Sequence, residues 1–255
     1  MSALSAIIIT KNEERNIREC LSSVRWVDEV VVVDGGSTDK TVEVAKDMGA
    51  KVFIRSWEGY GAAKIFALAQ CSGNWILWLD ADERVTKELA EEIQHLVRQE
   101  DSDYAGYEAS RKAYFLGRWI KHCGWYPGFV IRLFRREAGK FTENKVHERL
   151  EVNGKVGRLR SDLLHYTDPN LFHYFEKFNR YTSLAAEELA QQGQKFGLTQ
   201  LIVRPIWQFL KMYVVQRGFL DGFHGFILCV LSSSYVFTKY AKLWELSSDR
   251  KRSSI

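Results

Sequence analysis

Short apolar runs alternate with stretches of helical spacing along the first part of the chain. "ALSAIIIT" (3–10), "DEVVVVD" (28–34), "AKVFIR" (50–55) and "WILWLD" (75–80) are rich in β-branched and aromatic residues and read as strands. Between them, "EERNIRECLSSV" repeats apolar residues at Ile17, Leu21 and Val24. "STDKTVEVAKDMG" offers Ser37 or Thr38 as an N-cap and Gly49 as a C-cap. "GAAKIFALAQC" is a further helix, and Glu88 to Val97 another, opening after Thr86. Strands and helices alternating at this spacing predict βαβ units. The expected fold is α/β, a Rossmann-like, mostly parallel sheet with helices on both faces.

The pattern changes after Tyr104. "YAGYEASRKAYFLGRWI", "GWYPGFVIRLFRR" and "HERLEVNGKVGRL" read as shorter strands in antiparallel or mixed arrangement, with Gly154 in "VNGKV" as a hairpin signal. From Asn170 onward the chain reads as helical. The expected division is therefore a catalytic domain over 1–168, with a nucleotide-binding half to about 100, followed by a helical segment over 169–255.

In parallel sheets ligands gather at the carboxyl ends of the strands. Three polar clusters fall there: Thr10 to Asn12, Asp34 to Ser37, and Asp80 to Glu83. The last is the most pointed. Asp80, Asp82 and Glu83 follow an apolar strand directly, and crowded carboxylates repel unless a positive charge sits among them. A divalent metal is the expected charge, since Mg²⁺ takes one or two carboxylates and completes its shell with water and phosphate oxygens. Taken alone, an Asp-x-Asp pair is more often a solvated acidic turn. Asp34, before Gly35 and Gly36, is either the acceptor for a base or ribose group or part of a tight turn with helix N–H groups following at Ser37 to Asp39. Neither a Walker loop nor GxGxxG is present.

Composition narrows the class. With 46% hydrophobic and 27% charged residues and three prolines, the chain is an ordinary globular protein. Its four cysteines form no CxxC pair, which fits reduced thiols in the cytoplasm. The N-terminus lacks a basic leader and reads as a first strand. The net charge of +4 is uneven: from Leu201 onward eight Lys and Arg face three acids. There the charges are interleaved with Trp207, Phe209, Tyr213, Phe219, Phe223, Tyr240 and Trp244, the composition of helices lying in a membrane interface rather than on nucleic acid. The equal alternative is packing on the catalytic domain or a dimer contact. The longest apolar run, "FILCVLSSSYVF", is interrupted by three serines and falls short of the roughly 20 residues a spanning helix needs, so no transmembrane segment is expected.

Three quoted stretches carry a resemblance: "IIITKNEERNIRECLSSV", "EVVVVDGGSTDKTVEVA" and "GYGAAKIFALAQCSGNWILWLDADERV". Together they resemble family 2 glycosyltransferases of the GT-A fold. The later "YFLGRWIKHCGWYPGFVIRLFRR", "VHERL" and "LLHYT", with the aromatic tail, resemble the lipopolysaccharide-core branch of the WaaE/KdtX type. The resemblance implies an inverting, metal-dependent transfer of a sugar from a nucleotide-sugar to a lipid-linked glycan at the cytoplasmic face of the inner membrane. It implies that Thr10, Asn12, Glu13 and Asp34 hold the nucleoside and that Lys64 lies near the diphosphate. It further implies Asp80 against the donor, Asp82 and His165 on Mg²⁺ or Mn²⁺, and Glu148 as the catalytic base; His147 beside it is a second candidate, for contact with the acceptor or a phosphate. UDP-glucose is the expected donor, a heptose or another hexose the alternative. Three positions depart from the family pattern: Gly35 follows Asp34 where a second acid is common, Ile65 follows Lys64 where Asn is common, and "WYPGF" lacks an acid near Gly128 where the branch carries one. The chemistry asks for the same parts: a cationic clamp for the departing diphosphate and one base for the attacking hydroxyl. A nucleotidyltransferase would carry a basic glycine-rich loop in place of "TKNEERN". A non-catalytic membrane scaffold would not need Lys64, Asp80, Asp82 and Glu148 together.

Overall fold

The computed structural model describes residues 3–99, 103–142, 149–194 and 196–252. The chain divides into two compact units, one of residues 1–112 with 128–165, the other of 113–127 with 166–255.

From its start the chain runs β1 (Leu4–Thr10), α1 (Glu14–Ser23), β2 (Glu29–Asp34), α2 (Thr41–Asp47), β3 (Lys51–Ile54), α3 (Tyr60–Gln70), β4 (Trp75–Asp80), β5 (Glu83–Val85) and α4 (Lys87–Arg98). Then follow β6 (Tyr104–Phe115), β7 (Arg118–Trp119), β8 (Gly128–Arg135), β9 (Gly139–Phe141), β10 (Leu150–Val152) and β11 (Lys155–Asp168). Among the described residues the main sheet is ordered β3-β2-β1-β4-β8-β6-β11-β5. Its β3-β2-β1-β4 half is parallel, with Thr10 level with Asp34 and Ile9 level with Asp80. β8 then joins β4 antiparallel, pairing Leu77 with Leu133.

Alternation along β1 sorts the core into two layers. Ala6 and Ile8 pack with Ile17 and Leu21 of α1 and with Leu89 and Ile93 of α4. Ile7 and Ile9 pack on the other face with Ala67 of α3, Phe134 and Phe141. Every residue of β1 is buried, as a central strand covered on both faces requires.

Two local expectations fail for identifiable reasons. Helix α2 begins at Thr41, and neither Ser37 nor Thr38 caps it. Their polar groups instead reach across to the segment after β1: Asn12 N donates to Ser37 Oγ (2.7 Å), and Thr38 N donates to Asn12 Oδ1 (2.8 Å). The turn at Gly154 (φ +130°) does not close a hairpin between β10 and β11, because β10 pairs with β9.

The second unit holds α5 (Leu171–Gln191), α6 (Leu198–Leu210), a π-helical turn (Lys211–Val215), a 3-10 turn (Gly218–Asp221) and α7 (Gly222–Arg252). Residues 113–127 belong to it through Phe115, Ile120 and Cys123, which pack with Met212, Leu228 and Cys229. Buried Asp221 fastens that segment, accepting from the backbone N–H of Lys121 (3.2 Å) and His122 (2.8 Å). The serines do not break α7. Ser234 Oγ donates to Val230 O one turn back, and Ser233 Oγ to the Pro205 carbonyl. Against the sequence expectation, Gly218–Ser248 is therefore one helical stretch long and apolar enough to cross a membrane, by length and composition.

Candidate active site

The β1–β2 rim is organised around Asp34, which is fully buried. Its Oδ1 accepts from Gly36 N (3.0 Å) and Ser37 N (2.7 Å), and its Oδ2 from Thr10 Oγ1 (2.9 Å) and Ser37 Oγ (2.5 Å). The carboxylate thus fixes the loop it sits in. Asn12, at φ +57°, and Glu13 lie beside it. Glu13 N donates to Thr41 Oγ1, and Glu13 Oε2 accepts from Asn16. A small hollow opens next to this rim, lined by Val33, Asp34, Gly35, Arg55, Trp57 and Gly59. A Cβ on Gly35 would stand 2.3 Å from the Trp57 ring, so glycine is required for the indole to lie there. The larger cavity, about 360 Å³, lies by the opposite strand ends, among Ser5, Asp28, Glu29, Lys51 and Ser72, away from all these residues.

At the end of β4 the charge among the acids is a guanidinium. Arg132 of β8, 2% exposed, donates from Nη2 to Asp80 Oδ2 (2.6 Å) and to Glu83 Oε1 (2.7 Å). Glu83 is completely buried, and its Oε2 accepts from Asp80 N, closing the Asp80–Glu83 turn. Arg111 stands 3.9 Å from Glu83. Burial opposes ionisation of Asp80, and Arg132, Lys64, His165 and Arg111 outweigh it, holding the carboxyl below its usual range. Burial dominates at Glu83 and pushes it up despite Arg132. Burial also disfavours a charged Arg132, but the two carboxylates prevail and raise its pKa.

Asp82 lies outside this ion pair. Strand β11 runs antiparallel to β5 and brings His165 level with Glu83, so His165 Nε2 comes within 3.4 Å of Asp82 Oδ2. Lys64, on α3 and 3% exposed, places Nζ 4.2 Å from the centre of the Trp78 ring, and the Arg132 guanidinium lies 3.9 Å from the same ring.

The residues expected from sequence thus gather in two places: Thr10, Asn12, Glu13 and Asp34 on the β1–β2 rim, and Lys64, Asp80, Asp82 and His165 around the end of β4. His147 and Glu148 lie outside the described residues. Arg132, Arg111 and Trp78 were not foreseen. The signal for Arg132 was a basic residue inside the apolar run "GFVIRLF".

A half-parallel α/β sheet with its acids past the fourth strand is the architecture of the GT-A glycosyltransferases. A mannosyltransferase of Pyrobaculum calidifontis, solved with GDP-Man and Mn²⁺, shares the fold: TM-score 0.57 at 14% identity, over 95% of this chain and 87% of that one. The chain belongs to glycosyl transferase family 2, whose model matches residues 5–157, and it is a glycosyltransferase. An uncharacterized glycosyltransferase of Rickettsia typhi is 35% identical over 97% of this chain and 88% of its own length. The lipopolysaccharide core biosynthesis glycosyltransferase LpsC of Rhizobium meliloti is 33% identical over 99% of this chain and 96% of its own.

Proposed function

We propose that this enzyme moves a hexose, with inversion, from a nucleotide-sugar to a heptose or similar sugar of a lipid-linked glycan during assembly of the lipopolysaccharide core. UDP-glucose is the donor we favour. The reading of the acceptor leans on full-length similarity to LpsC. The observation that carries the donor chemistry is the Asp82–His165 pair standing beside Asp80 and Lys64.

Among the described residues no cluster of three metal-ligating side chains occurs. Two suffice where phosphate oxygens and water complete the shell. Adjacent ligands of an octahedral cation lie about 3 Å apart, so Asp82 and His165 at 3.4 Å fit Mg²⁺ or Mn²⁺ with a small adjustment. Such a cation supplies Lewis-acid stabilisation of the departing diphosphate. Lys64 contributes a fixed positive charge to the same end. On this reading the nucleoside packs over the shallow hollow at Trp57, with Thr10, Asn12, Glu13 and Asp34 as its rim. Glu148 takes the proton of the acceptor hydroxyl as that oxygen attacks the anomeric carbon and the bond to the diphosphate breaks.

A lipid-linked acceptor also gives a role to α6. Leu198, Ile202, Val203, Ile206, Trp207 and Leu210 are all exposed and cover one side of that helix. With the basic tail, this face fits the anionic inner surface of the inner membrane, on which the enzyme would sit peripherally.

Calorimetric titration with UDP, dTDP, GDP and ADP, each with and without Mn²⁺, tests the donor site. One nucleotide should bind tightly only with metal, and Asp82→Ala should abolish that dependence. Glu148→Gln should keep binding and lose turnover. Metal-independent weak binding of all four nucleotides would leave the Asp82–His165 pair without a metal and overturn the donor reading.

A further inference from the structure

Arg132 is placed by an irregularity of the sheet. Tyr107 of β6 pairs with Leu133 of β8, and the next residue, Glu108, pairs with Ile131. Arg132 is therefore the extra residue of a β-bulge, a device that re-aims a side chain out of the normal alternation. It lies one position beyond the Leu77–Leu133 pair of the β4–β8 ladder, beside Trp78. The guanidinium stacks on that indole and spends Nη2 on Asp80 and Glu83.

The remaining groups of this stacked pair are unsatisfied. Arg132 Nε, Arg132 Nη1 and Trp78 Nε1 are buried and have no hydrogen-bond partner. All three are donors; neither side chain offers an acceptor in their place. A buried donor left unpaired is costly, and each such group calls for a reason: strain, a role in the chemistry, or a bound water or ion that completes it. Three buried donors with no acceptor among them call for a ligand with several oxygens, as a phosphate anion supplies. Lys64, on the same indole, adds a second cation. The carboxylates are not competitors for these donors, because their bonds to Arg132 already run through Nη2.

We propose that Arg132 is a second donor to the diphosphate of the nucleotide-sugar, and that Trp78 is a positioning residue that holds Arg132 and Lys64 on one indole. This rests on the donor chemistry proposed above. The bulge fixes the guanidinium before the ligand arrives, so little ordering is required on binding. Arg suits this position and Lys does not: only the planar fork can hold two carboxylates through one nitrogen and present its other N–H groups elsewhere.

The test uses the full chain. Arg132→Lys keeps a cation for Asp80 and Glu83 but removes Nε and Nη1; Trp78→Phe keeps an aromatic platform and removes Nε1. Calorimetric titration is run with inorganic pyrophosphate, UDP and UMP on wild type and both variants, with Mn²⁺ present, and folding is checked by circular dichroism. A charge-assisted hydrogen bond is worth enough for roughly a tenfold loss or more. Arg132→Lys should therefore weaken UDP and pyrophosphate at least about tenfold and UMP much less, and Trp78→Phe should weaken the same two by a smaller factor. Equal affinities for UDP and UMP losses, or unchanged UDP affinity in a folded Arg132→Lys, would overturn the assignment and leave Arg132 a structural cation. Pyrophosphate binding that depends on Arg132 without any nucleotide binding would keep the anion site and remove the donor reading. Wild-type protein that binds neither would remove both.

Discussion

Glu29 offers a quantitative test of the sheet that carries the site, at the opposite end of its strands. Its carboxylate accepts from Ser5 Oγ (2.6 Å), Ser72 N (2.8 Å), Ser72 Oγ (3.1 Å) and Lys51 Nζ (2.5 Å). It thereby ties the starts of β1, β2 and β3 to the loop before β4. Burial works against its ionisation, and the bonds from Lys51, Ser5 and Ser72 outweigh that, drawing the pKa down from 4.5 to about 2. A depressed carboxylate pKa stabilises the fold above the unfolded-state value, and that contribution is lost as pH falls from about 4.5 toward 2. A shift of this size is worth about 3 kcal/mol at pH 7 and about 1.5 kcal/mol at pH 3. Glu29→Gln keeps the shape and removes the titration. Urea denaturation of both proteins between pH 3 and pH 7 should show the wild type ahead by about 2–3 kcal/mol at pH 7, with the gap closing by roughly half at pH 3. UDP affinity should not change. A gap that stays constant with pH, or no gap at pH 7, would refute the reasoning.

Two further outcomes are expected. Gly35→Ala forces Trp57 away from the 2.3 Å approach; it should cost about 1–3 kcal/mol of stability and weaken nucleotide binding, and unchanged values for both would mean that the indole does not seat on this glycine. Ile202→Glu with Trp207→Glu alters side chains 50% and 59% exposed, so the fold should hold while cosedimentation with anionic phosphatidylglycerol vesicles drops at least about tenfold, given about 1.5–3 kcal/mol for each large apolar side chain buried. Equal sedimentation of variant and wild type, or concentration-dependent dimerisation lost in the variant, would move this face from lipid to a second copy of the chain.

Much of the fold was legible because period and burial agree. The four parallel strands are apolar on both faces, and their helices repeat apolar residues at helical spacing, so chain order alone put three polar clusters on one rim. Legibility failed where one side chain had two uses. Ser37, Thr38 and Asp39 have the chemistry of helix caps, but the same groups also bond Asn12 and Glu14, and that cross-loop network prevails. The serines of α7 looked like interruptions of an apolar run, yet the hydroxyls of Ser233 and Ser234 are satisfied by carbonyls, one of them on α6. The proximity of His165 to Asp82 depends on the antiparallel register of β5 with β11, which no local pattern encodes. It was anticipated only through family resemblance. Arg132 escaped notice because alternation along "GFVIRLFR" gives no sign of a bulge.

The guanidinium changes how the acidic turn must be understood. Repulsion among Asp80, Asp82 and Glu83 was the sequence-level argument for a metal, yet two of the three acids already share Arg132. What remains for a cation is Asp82 with His165, one carboxylate and one imidazole, near a fixed guanidinium that repels it. A divalent ion gains little there by itself. On the proposed function a bound diphosphate would reverse this balance, bringing negative charge to both the Asp82–His165 pair and the cations on Trp78. Metal and nucleotide should then bind with strong mutual dependence: weak heat from Mn²⁺ alone, and high affinity only when the nucleoside diphosphate is present. By linkage, the factor by which UDP strengthens Mn²⁺ binding must equal the factor by which Mn²⁺ strengthens UDP binding. Arg132→Lys, if it weakens the diphosphate contact, should lower UDP affinity in the presence and absence of metal alike, whereas Asp82→Ala should remove only the metal-dependent part. The two substitutions separate the fixed cation from the exchangeable one.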